Sequence, residues 1–356
     1  MKRITLSEIQ EDNLKKRHLI YFETYIYPLL VDIYTKEKDN QEFKNFLSYL
    51  KSHYKLIAIG SPNDLHRFRD KIKIKFPEIF IKLFGIEGLS EKENSEIIDK
   101  DLRNKLLKVF NYDGFCKNIN KIDLYRNRSR LDRHNKSGWN AYALIDEIGM
   151  KVCPYCEINY ILLYKDENGK TRPTLDHFYD KAKHPYFAVS LFNLIPSCYT
   201  CNSSFKGSRD FSIETHLHPY LDDIEGKGKF TLVNSDNGKF DIAKLLTCEY
   251  SFEFKGVGDV IDKRVENSLT IFHIRELYKE VKTHIDELIN QHFIYNEKYI
   301  EQLAGLSIFS GEEEIRMILT GKVNIHTGKS IVSDERILSK LMKDVENELG
   351  LTYGKM

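Results

Sequence analysis

Two Cys-x-x-Cys pairs frame the part of the chain richest in reactive side chains: Cys153-Pro154-Tyr155-Cys156 upstream and Cys198-Tyr199-Thr200-Cys201 downstream. Each pair can set two thiolates on one face of a tight turn, and two such turns supply the four sulfurs of a tetrahedral structural zinc site. Two redox dithiols are the alternative, yet neither pair sits in a thioredoxin-like βαβ pattern. Asp176-His177, Asn193, Asn202 and Lys206 are enclosed by the pairs or adjoin them. A titratable base, oxygen donors and a cation inside a metal-stapled frame are the residue types of a hydrolytic site.

These residues need elements to position them. Asn159–Tyr164, the turn signal Asn168-Gly169 and the run Thr171–Phe178 read as a β-hairpin, which places Asp176-His177 near the end of its second strand. Phe192–Pro196 reads as a loop entering a further short strand, and Cys201–Lys206 as the start of a helix. The order is strand, strand, helix.

The string Leu175-Asp176-His177-Phe178, Lys181, Pro185, Asn193-Leu194-Ile195-Pro196-Ser197-Cys198, Cys201-Asn202 and Lys206-Gly207 resembles the HNH, or ββα-metal, endonuclease family. The likeness covers roughly Lys151 to Arg209 and is greatest to HNH effectors of bacterial anti-phage systems of the Septu and retron-associated kind, whose usual partner is an ATPase. It departs from the family pattern twice. Asp180 stands where proline is frequent, and Asn202 where many members carry a third histidine.

The resemblance implies a metal-dependent endonuclease acting on nucleic acid, DNA favoured over RNA. Phosphodiester hydrolysis needs an activated water, neutralised phosphate charge and a stabilised leaving oxygen. His177 is then the general base. Asn193 accepts a hydrogen bond from the other ring nitrogen or from nearby backbone, fixing the useful tautomer. Asp176 and Asn202 offer oxygens to a divalent ion, and such hard donors suit Mg²⁺ or Mn²⁺ better than zinc. Lys206, one helical turn beyond Asn202, is either a phosphate contact or an ordinary surface lysine. Two rivals stay open: an RNA-cleaving HNH toxin, and a non-catalytic zinc-dependent nucleic-acid-binding module.

Other features have bland readings beside functional ones. His184 reads as a solvent-facing loop histidine, with a phosphate contact as its alternative. His216-Leu217-His218 with Asp222 looks metal-like, but Pro219 argues for a turn. Tyr155, Tyr160, Phe178, Tyr186 and Phe187 read as small-core packing, and Cys116 and Cys248 as small buried residues. Lys117 to Lys136 is the most basic stretch, either a solvated surface or a phosphate-backbone contact.

The flanks read as helical. Ser7 with Gln10 is a capping box opening a long helix bent near Pro28, Ser61-Pro62 starts another, and Glu91–Phe110 is a third. Strand-like runs follow at Phe230–Val233, Phe240–Ile242 and Tyr250–Phe254, then helices from Val260 to about Leu306, from Ser310 with Glu313 to Gly321, and from Ser333 to near Gly350. The expected class is α+β: a zinc-stapled ββα-metal core between mainly helical N- and C-terminal regions. The expected divisions are a helical region at 1–140, the nuclease core at 141–222, a strand-rich connector at 223–259 and a helical region at 260–356.

With 356 residues and a net charge of +1, the chain can bury a large core, and its charge balance alone points to no partner. It has neither a secretory signal nor a bilayer-spanning segment, so the expected location is the cytoplasm, with no membrane partner. It lacks a GxxxxGK[ST] loop, so an ATPase trigger would have to come from another protein.

Overall fold

The computed structural model describes residues 1–117, 138–165, 168–234, 249–258, 260–295, 297–306, 308–312, 314–315 and 336–349. The basic stretch beyond Lys117, the run Phe240–Ile242, Cys248, Glu313, Gly321 and Ser333 lie outside them. The chain is mixed α and β, with helices and three two-stranded antiparallel pairs among the described residues. No helix of the described residues is long and apolar enough to cross a membrane. Two compact units are distinguished, residues 3–150 with 161–222, and residues 1–2 with 151–160 and 223–356.

In the first unit, the Ser7–Gln10 capping box opens α1 (Glu8–Tyr21) as expected. The long helix changes winding at Phe22–Ile26, a wider turn, before continuing as α2 (Tyr27–Lys36). Pro28 has no N–H to donate, so a regular ladder cannot run through it and the change in winding precedes it. α3 (Gln41–Ser52) buries Phe43, Phe46, Leu47 and Leu50 on one face. After α4 (Tyr54–Ile59), the Ser61–Asp64 capping box starts α5 (Pro62–Lys75), which buries Leu65, Phe68 and Ile72. These stripes follow the 3.6-residue period, and each large side chain moved out of water contributes roughly 1.5–3 kcal/mol.

α6 (Pro77–Phe84) follows. The single helix expected over Glu91–Phe110 is two, α7 (Glu91–Ile97) and α8 (Lys100–Val109). Asp99 makes the break: its side chain caps the Leu102 N–H while its own N–H donates to the Lys82 carbonyl at 2.9 Å. Among the described residues, α9 (Tyr112–Cys116) and α10 (Ala141–Ile148) are the last helices before the first strand.

The strands correct the expected hairpin. β1 (Tyr164–Lys165) and β2 (Lys170–Thr171) pair over two residues only. β3 (Thr174–His177) pairs instead with β4 (Leu194–Ser197), with Asp176 opposite Ile195 and His177 opposite Leu194. A short helix, Thr200–Lys206, follows and is wound wider than an α-helix, with Gly207 N–H donating to the Asn202 carbonyl. The Asn-Gly turn signal marks the small ribbon. It says nothing of which strand β3 joins.

The long β3–β4 connection is held by the helices. Phe46 and Phe68 pack edge-on against Tyr186, at 6.2 and 6.3 Å between centroids, and Phe68 also meets Phe187 at 6.1 Å. His18, wholly buried, shares a 2.6 Å hydrogen bond with the Val189 carbonyl, and Trp139 Nε1 donates to its Nδ1 at 3.0 Å.

In the second unit, β5 (Gly228–Asn234) pairs with β6 (Tyr250–Gly256). Among the described residues, helices run over Lys263–Ile271, Ile274–Glu280, Thr283–Ile294, Glu297–Ala304 and Ser339–Glu348. The last of them satisfies the edge of β5: Asp344 accepts from the Phe230 N–H at 2.8 Å and Glu348 from the Leu232 N–H at 2.9 Å. Strand edges left unpaired invite pairing with other chains, and this contact removes two such donors. In the 151–160 segment, Glu157 has φ 57°. Its buried carboxylate accepts from Ser339 Oγ at 2.8 Å and pairs with the Met1 ammonium at 2.7 Å.

Candidate active site

Cys153, Cys156, Cys198 and Cys201 are all buried, and their sulfurs lie within 4.8 Å of one another. A tetrahedral zinc with Zn–S bonds of about 2.3 Å needs sulfurs about 3.8 Å apart, so the donor set fits that ion. N–H groups also reach the sulfurs: Cys201 N to Cys198 Sγ at 3.4 Å and Asn159 Nδ2 to Cys156 Sγ at 3.9 Å. Donors of this kind favour a thiolate over a thiol. Among the described residues, no other group of three or more His, Cys, Asp or Glu is spaced to hold a metal ion.

Asp176, His177, Asn202 and Lys206 line one cavity of about 450 Å³. β3 supplies the first two, and the wide helix Thr200–Lys206 supplies the others. Alternation along a strand would aim neighbouring side chains apart, but Asp176 and His177 occupy the strand end, and both border this space. Asp180 also lines the cavity, and its carboxylate accepts from the N–H groups of Ala182 at 3.0 Å and Lys183 at 3.2 Å. Those bonds make a side-chain-stabilised turn after β3.

His177 is buried, and its Nε2 is 2.9 Å from the Ala188 carbonyl. A carbonyl can only accept, so Nε2 carries the proton and Nδ1 the lone pair. Burial, with the nearby Lys181 and Lys206 charges, pushes the imidazole down to about 3. It is therefore neutral at physiological pH, the form that can accept a proton.

Asn193 does not touch that ring. Its Oδ1 accepts from Tyr179 N at 2.7 Å, and its Nδ2 donates to the carbonyls of Tyr179 at 3.1 Å and Phe187 at 3.0 Å. Of the two expected acceptor roles, the backbone one is realised. Asn193 ties the two ends of the β3–β4 connection together, and the connection in turn presents the Ala188 carbonyl to His177.

Lys206 is buried beside Asp176. Its ammonium lies 3.1 Å from Asp176 Oδ1 and donates to the His177 carbonyl at 2.6 Å. A buried ion pair of this kind holds strand end and helix in register, because breaking it leaves a charge without compensation. Besides Asp180, whose carboxylate accepts from its own turn, the cavity offers the Asp176 carboxylate and the Asn202 amide as oxygen donors. Mg²⁺ commonly takes one or two protein oxygens and completes its shell with water and substrate phosphate, so the set suits that ion, with Lys206 as the carboxylate's counter-charge.

Two neighbours, Tyr112 and Arg172, were not singled out by the sequence, and a third, Lys181, was quoted there without a role. Tyr112, from α9, meets His177 edge-on with centroids 4.4 Å apart and planes at 72°. Burial raises its phenol well above the ordinary value, with Cys116 adding to the effect, so it stays protonated. Arg172 lines the cavity from the segment entering β3, and Lys181 from the turn after it, where its ammonium stands 4.8 Å from the Tyr112 ring. Lys181 belongs to a recognisable motif. Nothing in the local sequence marks Tyr112, which reaches the site only because α9 packs there.

Other expectations fare unevenly. His184 is wholly buried rather than solvent-facing, because α6 and the Tyr186 ring cover the loop. His218 packs on Phe178 at 4.1 Å, and His216 stacks on Phe211 at 3.8 Å, so the two serve the core instead of a metal. Tyr155, Phe178, Tyr186 and Phe187 are core residues, but Tyr160 is 55 % exposed. Cys116 is only partly buried.

No family model matches the chain, and no solved structure matches it. Protein ea31 of Escherichia phage lambda is similar to part of it, 35 % identical over 89 residues, which is 24 % of this chain. The chain spans about a quarter of the length of that relative, 27 %.

Proposed function

We propose that the chain is a metal-dependent HNH-type endonuclease that hydrolyses nucleic acid phosphodiesters, with DNA as its substrate. One observation carries the reading: a neutral imidazole, fixed through Nε2 and keeping its Nδ1 lone pair, shares a cavity with a carboxylate, an amide and two partly exposed cations.

In this reading His177 takes the proton from the attacking water. The Ala188 carbonyl holds the ring in the required tautomer and stabilises the imidazolium that forms. Arg172 and Lys181 attract and orient the phosphodiester anion. Lys206 holds Asp176 in place. A divalent ion held by Asp176 and Asn202 would supply Lewis-acid stabilisation of phosphate and leaving oxygen. The four cysteines would hold zinc as a structural ion, since so small a ββα unit has little core of its own.

The test is incubation of the purified protein with supercoiled plasmid, single-stranded DNA and total transfer RNA, with and without Mg²⁺, beside His177→Ala. Mg²⁺-dependent cutting of DNA lost in the variant supports the reading. Binding without cutting would support the zinc-dependent binding module, and preference for RNA the toxin. The likeness to defence-system effectors extends the reading to an anti-phage role with an ATPase partner, and cleavage that stays unchanged when a co-expressed ATPase is present or absent would remove that extension.

A further inference from the structure

A second cavity in the first unit, of about 470 Å³, is lined by none of the groups given a role above. One wall is aromatic: Phe80 and Phe84 of α6 stack with centroids 5.1 Å apart and planes at 15°. Arg69 and Lys73 from α5 and Lys183 from the loop after β3 bring three cations to it, against the acids Asp210 and Glu87. The Lys183 ammonium stands 5.2 Å from the Phe84 ring and that of Lys73 6.0 Å from Phe80. Cations and ring faces thus occupy the same small space.

The rim is built. Asn94 accepts from the Ile86 N–H at 2.7 Å and donates to the Ile86 and Leu89 carbonyls at 3.1 Å each. Gly85, at φ 87°, leaves no room for a Cβ, which would meet Asn94 Oδ1 at 2.4 Å. Opposite, Asp210 is 26 % exposed, and its Oδ1 lies 3.6 Å from Nε2 of the wholly buried His184. That separation is one of an ion pair rather than a hydrogen bond, and both atoms are closed to solvent, so only the other edge of the Asp210 carboxylate faces outward. The site therefore presents a partly exposed carboxylate beside a flat apolar wall and a cluster of cations.

We propose that this cavity binds a mononucleotide. The base lies on Phe84, the phosphate takes Lys73, Lys183 and Arg69, and a ribose hydroxyl or exocyclic amine donates to Asp210. The volume falls within the range of small-molecule sites. A bare anion would lack the ring contact and a bare nucleoside the charge contact, so both halves are needed for affinity. A free nucleotide and the terminal nucleotide of a strand share this chemistry.

Titration calorimetry on the full chain, with adenosine and cytidine monophosphates, adenosine, inorganic phosphate and a 5′-phosphorylated oligonucleotide, tests it. A mononucleotide should bind about tenfold more tightly than adenosine or phosphate. Phe84→Ala should weaken it about tenfold, the worth of one stacked base. Lys73→Ala and Lys183→Ala should each weaken it about threefold. Lys73 is exposed and Phe84 and Lys183 are half-buried, so these variants should fold, which Trp139 fluorescence melting checks. His177→Ala should bind as wild type does, which separates this site from the proposed cleavage. Equal affinity for the oligonucleotide, with the same dependence on the variants, would identify a strand end as the natural source; weaker binding would identify the free nucleotide. Absence of binding by either mononucleotide, phosphate binding as tightly as the nucleotide, or affinity unmoved by all three cavity variants would overturn the proposal.

Discussion

Asn193→Ala should be among the most damaging single changes outside the cysteine cluster. The side chain is wholly buried and makes three hydrogen bonds to backbone, at 2.7, 3.0 and 3.1 Å. Alanine leaves the Tyr179 N–H and carbonyl without this partner in a place water does not reach, while the Phe187 carbonyl keeps the Ser190 N–H. Each such group costs ~1–3 kcal/mol, and the void adds to that, so a loss of about 3–6 kcal/mol follows. A domain of this size is stable by ~5–15 kcal/mol, so the variant should fold yet unfold at a much lower urea concentration. The chain has one tryptophan, Trp139, bonded to His18, which in turn holds Val189 of the connection that Asn193 ties. Urea titration followed by its fluorescence therefore reads the affected region. Cleavage, if present, should fall as well, because Ala188 is in the same connection. A loss below about 1 kcal/mol would refute the clamp, and intact stability with abolished cleavage would move Asn193 into direct contact with the chemistry.

Four other outcomes are expected. His177→Ala should lower Mg²⁺-dependent cleavage about 10²–10⁴-fold with zinc content unchanged, and full retention of cutting would remove His177 as the base. Cys201→Ser should lower the zinc measured by mass spectrometry and the thermal midpoint together, and a fully loaded variant would show that this sulfur is not a ligand. Lys206→Met should destabilise the fold by ~3–5 kcal/mol by leaving Asp176 without its ammonium, and Mg²⁺ should restore part of this by taking the same carboxylate; a variant as stable as wild type, or indifferent to Mg²⁺, would contradict that placement. Burial lowers His18 to about 4 from 6.5, with the Val189 hydrogen bond opposing it. The unfolded chain then binds more protons than the folded one between those values, so this stability is complete above about pH 6.5 and is lost as pH falls toward 4. It amounts to ~3 kcal/mol and should appear as a lower urea midpoint at pH 5 than at pH 7.5, reduced in His18→Gln; an unchanged pH response in that variant would refute it.

Local signals in the sequence were enough for the helix starts at Ser7 and Ser61, because a capping box is a contact between residues three apart and needs no tertiary partner. The clustering of four cysteines was legible for a similar reason, since each pair forms one tight turn and the two pairs together have the count a tetrahedral ion requires. The mixed α and β character followed from periodicity alone. The grouping of Asp176, His177, Asn202 and Lys206 around one space was anticipated from motif resemblance, which stands in for contacts that spacing does not specify.

Tertiary structure decided what depends on distant segments. The partner of β3 is β4 rather than the strand before the Asn-Gly turn, because a turn fixes only the strands it joins, while β3 is chosen by how the helices hold residues 178–193. His184 became a core residue once α6 covered it, and Lys206, read as either a phosphate contact or a surface lysine, is the buried partner of Asp176. Tyr112 reached His177 from a helix more than sixty residues away in the chain, since 177 less 112 is 65. Residue types and short spacings determine which chemistry the chain can hold. Packing over long separations determines which lone pair, which charge and which ring face that chemistry meets.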